Sequence, residues 1–219
     1  GSGKTTALLA KLLIISGQLP LVGNRGICVL THTNVAIDTI KQKIGLPAGK
    51  LFTYPNHFGT IQSFVDKYLA IPAYVERYRR SPEKIDKDWY EDKVEQQIRY
   101  LCTGAKAFCH KHEIQGYPFS ICWRHLWLSS GNKCEKLKLN LNSAADKQIY
   151  QSLLDLKQRM ERSGILSYDD AYYLAFDYLG KHPSLKSLFS HRFAYVFIDE
   201  CKIPIWIKRA CWTNCLMIR

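Results

Sequence analysis

Short apolar runs alternate with polar and glycine-rich stretches in the first quarter of the chain. Residues 5–16 form a compact apolar run before Gly17, which predicts a helix. Residues 27–30 are continuously apolar, as is typical of a parallel strand that is buried on both faces. Thr33 offers an N-cap for a second helix that ends before Gly45. This order of helix, strand and helix indicates an α/β fold.

The pattern changes toward the middle of the chain. Residues 51–53 and 58–60 predict a further strand region, and helical spacing of apolar residues over 61–69 predicts an amphipathic helix that ends at Pro72. Over 73–162, charges of both signs are interspersed and strand alternation is not visible. We therefore expect a mainly helical insertion there.

A helix and a strand are predicted again near residue 200. Ser167 and Asp170 have the spacing of a capping box, which predicts that a helix begins there. Residues 195–198 form an apolar run that predicts a buried strand, and Asp199 and Glu200 follow it directly. Ligand sites of parallel sheets lie at the carboxyl ends of the strands, so these two acids are candidates for a site.

Composition narrows the class of protein and of partner. The chain has 219 residues, of which 47% are hydrophobic, enough to bury a core. We expect a cytoplasmic protein without a membrane partner, since no leader is visible and no apolar run reaches the ~18 residues that a span needs. Thirty-one Lys and Arg against nineteen Asp and Glu give +12, which favours a polyanionic partner.

The eight cysteines form no C-x-x-C pair, and reduced thiols are the simplest interpretation. A zinc or iron–sulfur site is the alternative. Its ligands would come from Cys109, His110 and His112, with Cys102 and Cys122 nearby. These spacings match no familiar ligand pattern, so the interpretation as reduced thiols is favoured.

The first residues match the second half of the phosphate-binding pattern G-x-x-x-x-G-K-[ST]. Glycines let backbone N–H groups surround phosphate oxygens at the positive end of the following helix. In this pattern Lys4 reaches the β- and γ-phosphates and serves catalysis, and the Thr5 hydroxyl ligates Mg²⁺. A chance Gly-Lys-Thr at a helix start is the alternative. The predicted ATP-binding residues are Gly1, Ser2, Gly3, Lys4, Thr5 and Thr6.

The acidic pair supplies a second half of the same site. Asp199 is predicted to hold Mg²⁺, and Glu200 to act as the catalytic residue that orients or deprotonates the attacking water. Two acids after a strand are common by chance, but much less so in a chain that also carries Gly-Lys-Thr. The sequence therefore predicts ATP and Mg²⁺ as cofactors.

Four segments together carry a family resemblance. T-H-T-N-V-A at 31–36 resembles motif Ia of the UvrD/Rep-type superfamily I DNA helicases, usually T-F-T-N-K-A-A. F-G-T-I-Q-S-F at 58–64 resembles their next motif, G-T-[FI]-H-[SG]. S-Y-D-D at 167–170 resembles their D-F-D-D-L-L segment, and F-I-D-E at 197–200 the start of motif II. The segments stand in the family's order.

The resemblance implies a P-loop NTPase fold of the RecA-like kind, in which a parallel sheet carries an inserted, mainly helical subdomain. It covers roughly residues 1 to 70 and 164 to 200. The implied domains are a first RecA-like part at 1–70, a helical insertion at 71–163, a second RecA-like part at 164–200 and an anomalous tail at 201–219.

The resemblance also implies the ATP-binding half of a DNA helicase that moves along single strands, with single-stranded DNA or a single/double-strand junction as partner and DNA repair as a setting. His32 stands where the family usually has a stacking aromatic, and Gln62 where it usually has His; both can still stack or hydrogen-bond. Alternatively, His32, Thr33 and Thr60 are only caps at the ends of strands. The implied DNA-binding residues are His32, Thr33, Asn34, Thr60, Gln62 and Ser63.

The resemblance stops at one residue, directly after Glu200, where the family continues to Gln-Asp-Thr-Asn. Permissible codons for 201–208, read from the third base, restore that Gln-Asp-Thr-Asn. We therefore hypothesise a frameshift, which sequencing of the source DNA through codons 199 to 204 tests. The tail carries four positive charges and no acidic residue, so it contributes four of the twelve units of net positive charge.

Other elements of the family are not found in the sequence. These are the opening glycine of the P-loop, the first strand, the glutamine segment that reads adenine and the second RecA-like domain with its arginines. We therefore expect this chain to be inactive alone. A P-loop ATPase or kinase of another type, or a degenerate non-catalytic fragment, are the alternatives.

Overall fold

The computed structural model describes residues 3–45, 48–101, 104–112, 119–122, 127–130, 135–136, 141–198 and 216–217. The chain divides into two compact units. The sheet unit comprises Gly1–Phe64 and Leu179–Arg219, and the helical unit comprises Val65–Tyr178. The division into domains at 70/71 and 163/164 stays a prediction.

The described chain contains ten α-helices and nine strands. The helices are α1 Lys4–Ser16, α2 Asn34–Ile44, α3 Ala48–Leu51, α4 Ile61–Val65, α5 Ile71–Tyr78, α6 Lys87–Leu101, α7 Ala105–Lys111, α8 Ala144–Arg162, α9 Tyr168–Lys181 and α10 Leu185–Arg192. The strands are β1 Gly26–Thr31, β2 His57–Thr60, β3 Lys84–Ile85, β4 Phe119–Cys122, β5 Trp127–Ser130, β6 Glu135–Lys136, β7 Ile165–Leu166, β8 Phe193–Ile198 and β9 Leu216–Met217. A 3₁₀ turn, Val22–Asn24, and a π-helical turn, Asp66–Ala70, complete the set.

The sheet unit is built on a parallel sheet with the strand order β2-β1-β8-β9. All six positions of β1 are buried, as the continuous apolar run predicts for a strand covered on both faces. One cluster joins α1, α2, β1 and β8, and its fully buried members include Leu8, Leu12, Ile27 and Val29. The predicted α/β fold with a parallel sheet is confirmed.

The two helices that flank β1 are confirmed close to their predicted bounds. Thr33 is the N-cap of α2, and its side chain accepts the N–H of Ala36. Gly45 follows α2 with φ 67°, a conformation that an L side chain rarely adopts. The strand predicted at 51–53 is wrong, because Leu51 ends α3 and is buried in the same cluster. A short apolar run alone cannot distinguish a strand from a buried helical turn.

The prediction that Pro72 ends a helix is also wrong. Helical structure continues from α4 through the π-helical turn into α5, and Pro72 lies in the first turn of α5. Pro72 follows directly after the π-helical turn, where the N–H of Ile71 bonds the Asp66 carbonyl and the α-helical bonding pattern is already interrupted. The missing N–H of a proline therefore costs little there. Helix α5 then ends at Arg79, whose φ is 57°.

The helical unit has a core of its own, formed mainly by α6, α7 and α8. Buried members include Tyr90, Phe108, Leu153 and Met160. The mainly helical character expected over 73–162 is therefore found, but strands that were not predicted are also present. Strands β3 and β7 pair in parallel, and β4, β5 and β6 form an antiparallel sheet. Among the described residues, none of the helices has the length and apolar character of a membrane span.

Candidate nucleotide and nucleic-acid site

The register of the parallel sheet aligns the carboxyl ends of three strands. Thr31, the last residue of β1, is level with Thr60, the last residue of β2. On the other side of β1, Leu30 is level with Ile198, where β8 ends. The turns that follow β1 and β2 therefore begin side by side at one edge, and β8 ends there one residue before Asp199. This is the edge at which parallel sheets bind ligands.

The N-terminus of α1 offers backbone donors for an anion. Gly3 is the N-cap with φ −58°, its carbonyl accepts the N–H of Ala7 at 2.9 Å, and a Cβ placed on it would meet nothing within 4 Å. No described side chain caps this helix, and its first turn holds no acidic residue. Thr5 is half-buried and Thr6 is exposed. An uncapped start of a 13-residue helix fits a phosphate group.

Several residues of the predicted ATP site lie outside the described part of the structure. They are Gly1, Ser2, Asp199 and Glu200. Lys4 begins α1, but its side chain also lies outside the description. That Lys4 and Asp199 bind the same nucleotide and its Mg²⁺ therefore stays a prediction.

The turn after β1 is held by two hydroxyl groups. The Oγ1 of Thr31, a residue with no solvent exposure, donates to the carbonyl oxygen of Thr33 at 2.8 Å. The Oγ1 of Thr33 accepts from the backbone N–H of Ala36 at 3.3 Å. His32, Thr33 and Asn34 are all exposed. The structure thus presents the three residues of the predicted DNA contact to solvent at the start of α2.

The turn after β2 is built in a similar way. The backbone N–H of Ser63 donates to Thr60 Oγ1 at 3.1 Å, and Ser63 Oγ donates to the Thr60 carbonyl at 2.8 Å. Gly59 allows this close approach, because a Cβ on it would lie 2.5 Å from Ser63 Oγ. Ser63 is exposed, and Thr60 and Gln62 are half-buried. The structure therefore brings the two predicted DNA-binding segments to neighbouring turns of one edge.

The alternative interpretation as caps at the strand ends is correct for Thr33 and Thr60, which cap the helices that follow β1 and β2. Both hydroxyls accept a backbone N–H in the first turn of the following helix. Neither bond uses the hydroxyl proton, which can still donate to another acceptor. Capping and contact with DNA are therefore compatible roles for these two side chains.

The segment at 167–170 forms the predicted capping box in the helical unit. Ser167 Oγ accepts the N–H of Asp170 at 3.2 Å, and Asp170 Oδ2 accepts the N–H of Ser167 at 2.8 Å. The same Oδ2 accepts from Lys157 Nζ at 2.5 Å, and Lys157 Nζ also donates to Tyr90 Oη at 2.7 Å. Asp170 thus joins Ser167 to Lys157 and Tyr90 in a buried network of polar contacts that links α6, α8 and α9.

Charge and burial shift the pKa values of this network. Burial alone would lower the pKa of Lys157, but the Asp170 carboxylate and the Tyr90 hydroxyl outweigh burial and raise it. Burial raises the pKa of Tyr90 to about 12. Glu161 lies one turn after Lys157 on α8, is fully buried, and accepts from Tyr78 Oη at 3.1 Å. Burial, and next the charge of Asp170, raise the pKa of Glu161 to about 8.

Sequence reasoning missed this network and the buried hydroxyl of Thr31. Lys157 and Glu161 are four residues apart on a helix, a spacing that normally indicates a solvent-exposed pair. Their burial depends on packing against other helices, so the spacing alone could not have found them. For Thr31, a hydroxyl directly at the end of an apolar run was an available signal.

The alternative metal site at 109–112 stays untested. The side chains of Cys102, Cys109 and Cys122 lie outside the described residues. Among the described side chains, no group of three or more His, Cys, Asp or Glu could hold a metal ion. Cys28, a thiol in β1, is buried and forms no disulfide.

Comparison with known proteins gives one family. Residues 1–201 match the family model of the UvrD/REP helicase N-terminal domain. The match ends one residue after Glu200, where the sequence resemblance also stops. A search of curated proteins gives no match.

Proposed function

Because the chain belongs to the UvrD/REP helicase N-terminal domain family, we propose that it is the ATP-binding half of a DNA helicase that hydrolyses ATP to move along single-stranded DNA. The family consists of helicases that use ATP with Mg²⁺ and bind DNA. The observation that carries the proposal is the common sheet edge. The register there aligns Thr31 with Thr60 and Leu30 with Ile198, so that the motif-bearing turns lie side by side.

In the proposed nucleotide site, the uncapped start of α1 holds the phosphates of ATP. Lys4 is the group that would reach the β- and γ-phosphates, and the Thr5 hydroxyl and Asp199 would hold Mg²⁺. Glu200 would orient or deprotonate the attacking water. The free energy of ATP hydrolysis supplies the drive for movement along DNA. The exposed Gly3 and the absence of acidic residues in the first turn of α1 support this assignment.

In the proposed DNA site, the strand crosses the turns after β1 and β2. The hydroxyl protons of Thr33 and Thr60 are suited to phosphate oxygens, since the bonds of both side chains use only their lone pairs. The exposed ring of His32 is suited to stack on a base. In the proposed motor, this domain works together with a second RecA-like domain. DNA repair in the cytoplasm is the proposed setting.

Lys4→Ala tests the nucleotide assignment in the protein completed at both ends, with DNA-stimulated ATP hydrolysis as the measurement. We expect turnover to fall by about 100-fold or more, as when a main charge-stabilising donor is removed from a catalytic site. Lys11→Ala is the matched control, because Lys11 is an exposed lysine of the same helix. Turnover in Lys4→Ala equal to that of the control would show the assignment to be wrong.

Binding of a labelled oligo-dT to the 219-residue chain separates a helicase from a P-loop enzyme that acts on a small molecule. Phosphate contacts release counterions, so the affinity should fall as salt is raised. Binding that is undetectable at low salt would favour the small-molecule enzyme.

A further inference from the structure

We infer that Thr31 is a positioning residue for the DNA contact, although its own side chain cannot reach DNA. The inference rests on the proposed function, because it assumes that single-stranded DNA crosses the turn after β1. Thr31 acts through Thr33. The Thr31 hydroxyl donates to the Thr33 carbonyl, and this bond fixes the position from which the Thr33 hydroxyl contacts a phosphate. Its test is therefore a comparison of hydroxyl and non-hydroxyl side chains at one buried position.

The geometry around Thr31 motivates this role. Thr31 is the last residue of β1 and has no solvent exposure. Its hydroxyl donates to the carbonyl of Thr33 at 2.8 Å, two residues further on. A buried hydroxyl needs such a partner, and this one spans the exposed His32. The bond therefore connects the end of a fully buried strand, β1, to Thr33, the N-cap of α2.

The second link is the conformation of Thr33. Its backbone is extended, with φ −131° and ψ 152°, and its Oγ1 accepts the N–H of Ala36 at 3.3 Å. Thr33 is thus held from two sides, by Thr31 at its carbonyl and by Ala36 at its hydroxyl. These bonds fix the backbone of Thr33 and the position of its Oγ1. Contacts from a hydroxyl to a phosphate set the register of a protein on nucleic acid.

A second bond in the same region provides a matched control. Thr39 Oγ1 donates to the carbonyl of Val35 at 2.8 Å, within α2. Its length and chemistry equal those of the Thr31 bond, but it lies inside the helix rather than in the turn at the sheet edge. Thr39→Val should therefore remove a comparable bond without moving Thr33.

The test measures binding of a labelled oligo-dT to the 219-residue chain by fluorescence anisotropy. Thr31→Val keeps the shape of the side chain and removes the hydroxyl. We expect affinity to fall about 5-fold, the effect of losing one net hydrogen bond between Thr33 and a phosphate. Thr31→Ser restores the hydroxyl and should bind within about 2-fold of the unmodified chain, as should Thr39→Val. In the Thr33→Ala background, Thr31→Val should weaken binding no further.

Each outcome decides one claim. If the unmodified chain binds in a salt-dependent way but Thr31→Val binds as well as Thr39→Val, the positioning role is wrong and the proposed function stands. If Thr31→Ser binds as weakly as Thr31→Val, the hydroxyl is not responsible and the inference is overturned. If Thr31→Val does not fold, the affinity of Thr33→Ala decides. If Thr33→Ala binds as well as the unmodified chain, Thr33 makes no DNA contact, and the inference about Thr31 is overturned. If the unmodified chain does not bind at all, both proposals fall.

Discussion

Asp170 lies at the centre of the buried network of the helical unit. Its Oδ2 accepts from Lys157 Nζ at 2.5 Å, from Ser167 N at 2.8 Å and from Ser167 Oγ at 2.9 Å. The side chains of Lys157 and Asp170 are each only 2% exposed. Asp170→Asn keeps the size of the side chain but removes its charge, and leaves the Lys157 ammonium buried without its counter-ion.

The expected cost follows from this burial. Removing one partner of a buried ion pair typically costs about 3–5 kcal/mol, because the remaining charge is not compensated. The matched control is Asp38→Asn, since the Lys41–Asp38 pair is 3.9 Å long and its side chains are 50% and 64% exposed. Exposed pairs contribute ~0–1 kcal/mol. Urea denaturation of the 219-residue chain, followed by circular dichroism, measures the free energy of unfolding in both variants.

A second substitution checks the cause of the loss. If the unpaired charge is responsible, Lys157→Met in the Asp170→Asn background should recover part of the lost free energy of unfolding, because it removes that charge. Two results would contradict the reasoning. One is a cost for Asp170→Asn no larger than that for Asp38→Asn, and the other is a double variant less stable than Asp170→Asn.

Two further predictions concern the pH dependence of stability and the space around Gly26 in the sheet unit. The pKa of Glu161 in the folded chain is about 8, above its ordinary value of 4.5. Between these two pH values the folded chain keeps a proton that the unfolded chain releases. Stability therefore falls as pH rises from 4.5 to 8. The free energy of unfolding of Glu161→Gln should therefore rise relative to that of the unmodified chain between pH 5 and pH 8, by at most ~1.4 kcal/mol per pH unit. If urea denaturation gives the same difference between the two chains at every pH, the prediction is wrong. A Cβ on Gly26 would lie 2.3 Å from the Pro55 carbonyl oxygen, whereas one on Gly49 would meet nothing within 4 Å. Gly26→Ala should therefore lower the thermal midpoint by several degrees, because overpacking costs ~1–3 kcal/mol, and Gly49→Ala should leave it unchanged. Equal midpoints for the two variants would show that Pro55 does not restrict the space at Gly26.

Local patterns predicted those elements whose signals lie within one or two turns of chain. Helices α1 and α2, strands β1 and β8 and the capping box at Ser167 were all indicated by periodicity and caps. The errors at Leu51 and Pro72 arose where a local signal fits two structures. A short apolar run suits a strand or a helical turn, and a proline suits the end or the first turn of a helix.

The sequence by itself determined which chemical groups are present and the order in which they follow the strands. The segments at 31–36, 58–64, 167–170 and 197–200, together with Gly-Lys-Thr before a helix, were sufficient to predict the family, which the comparison confirmed. Only the tertiary structure decided that Thr31 is level with Thr60, and that Lys157 and Glu161 are buried. Caps and helical turns depend on residues three or four positions apart, whereas register and burial depend on residues that are far apart in the chain and meet only when it folds.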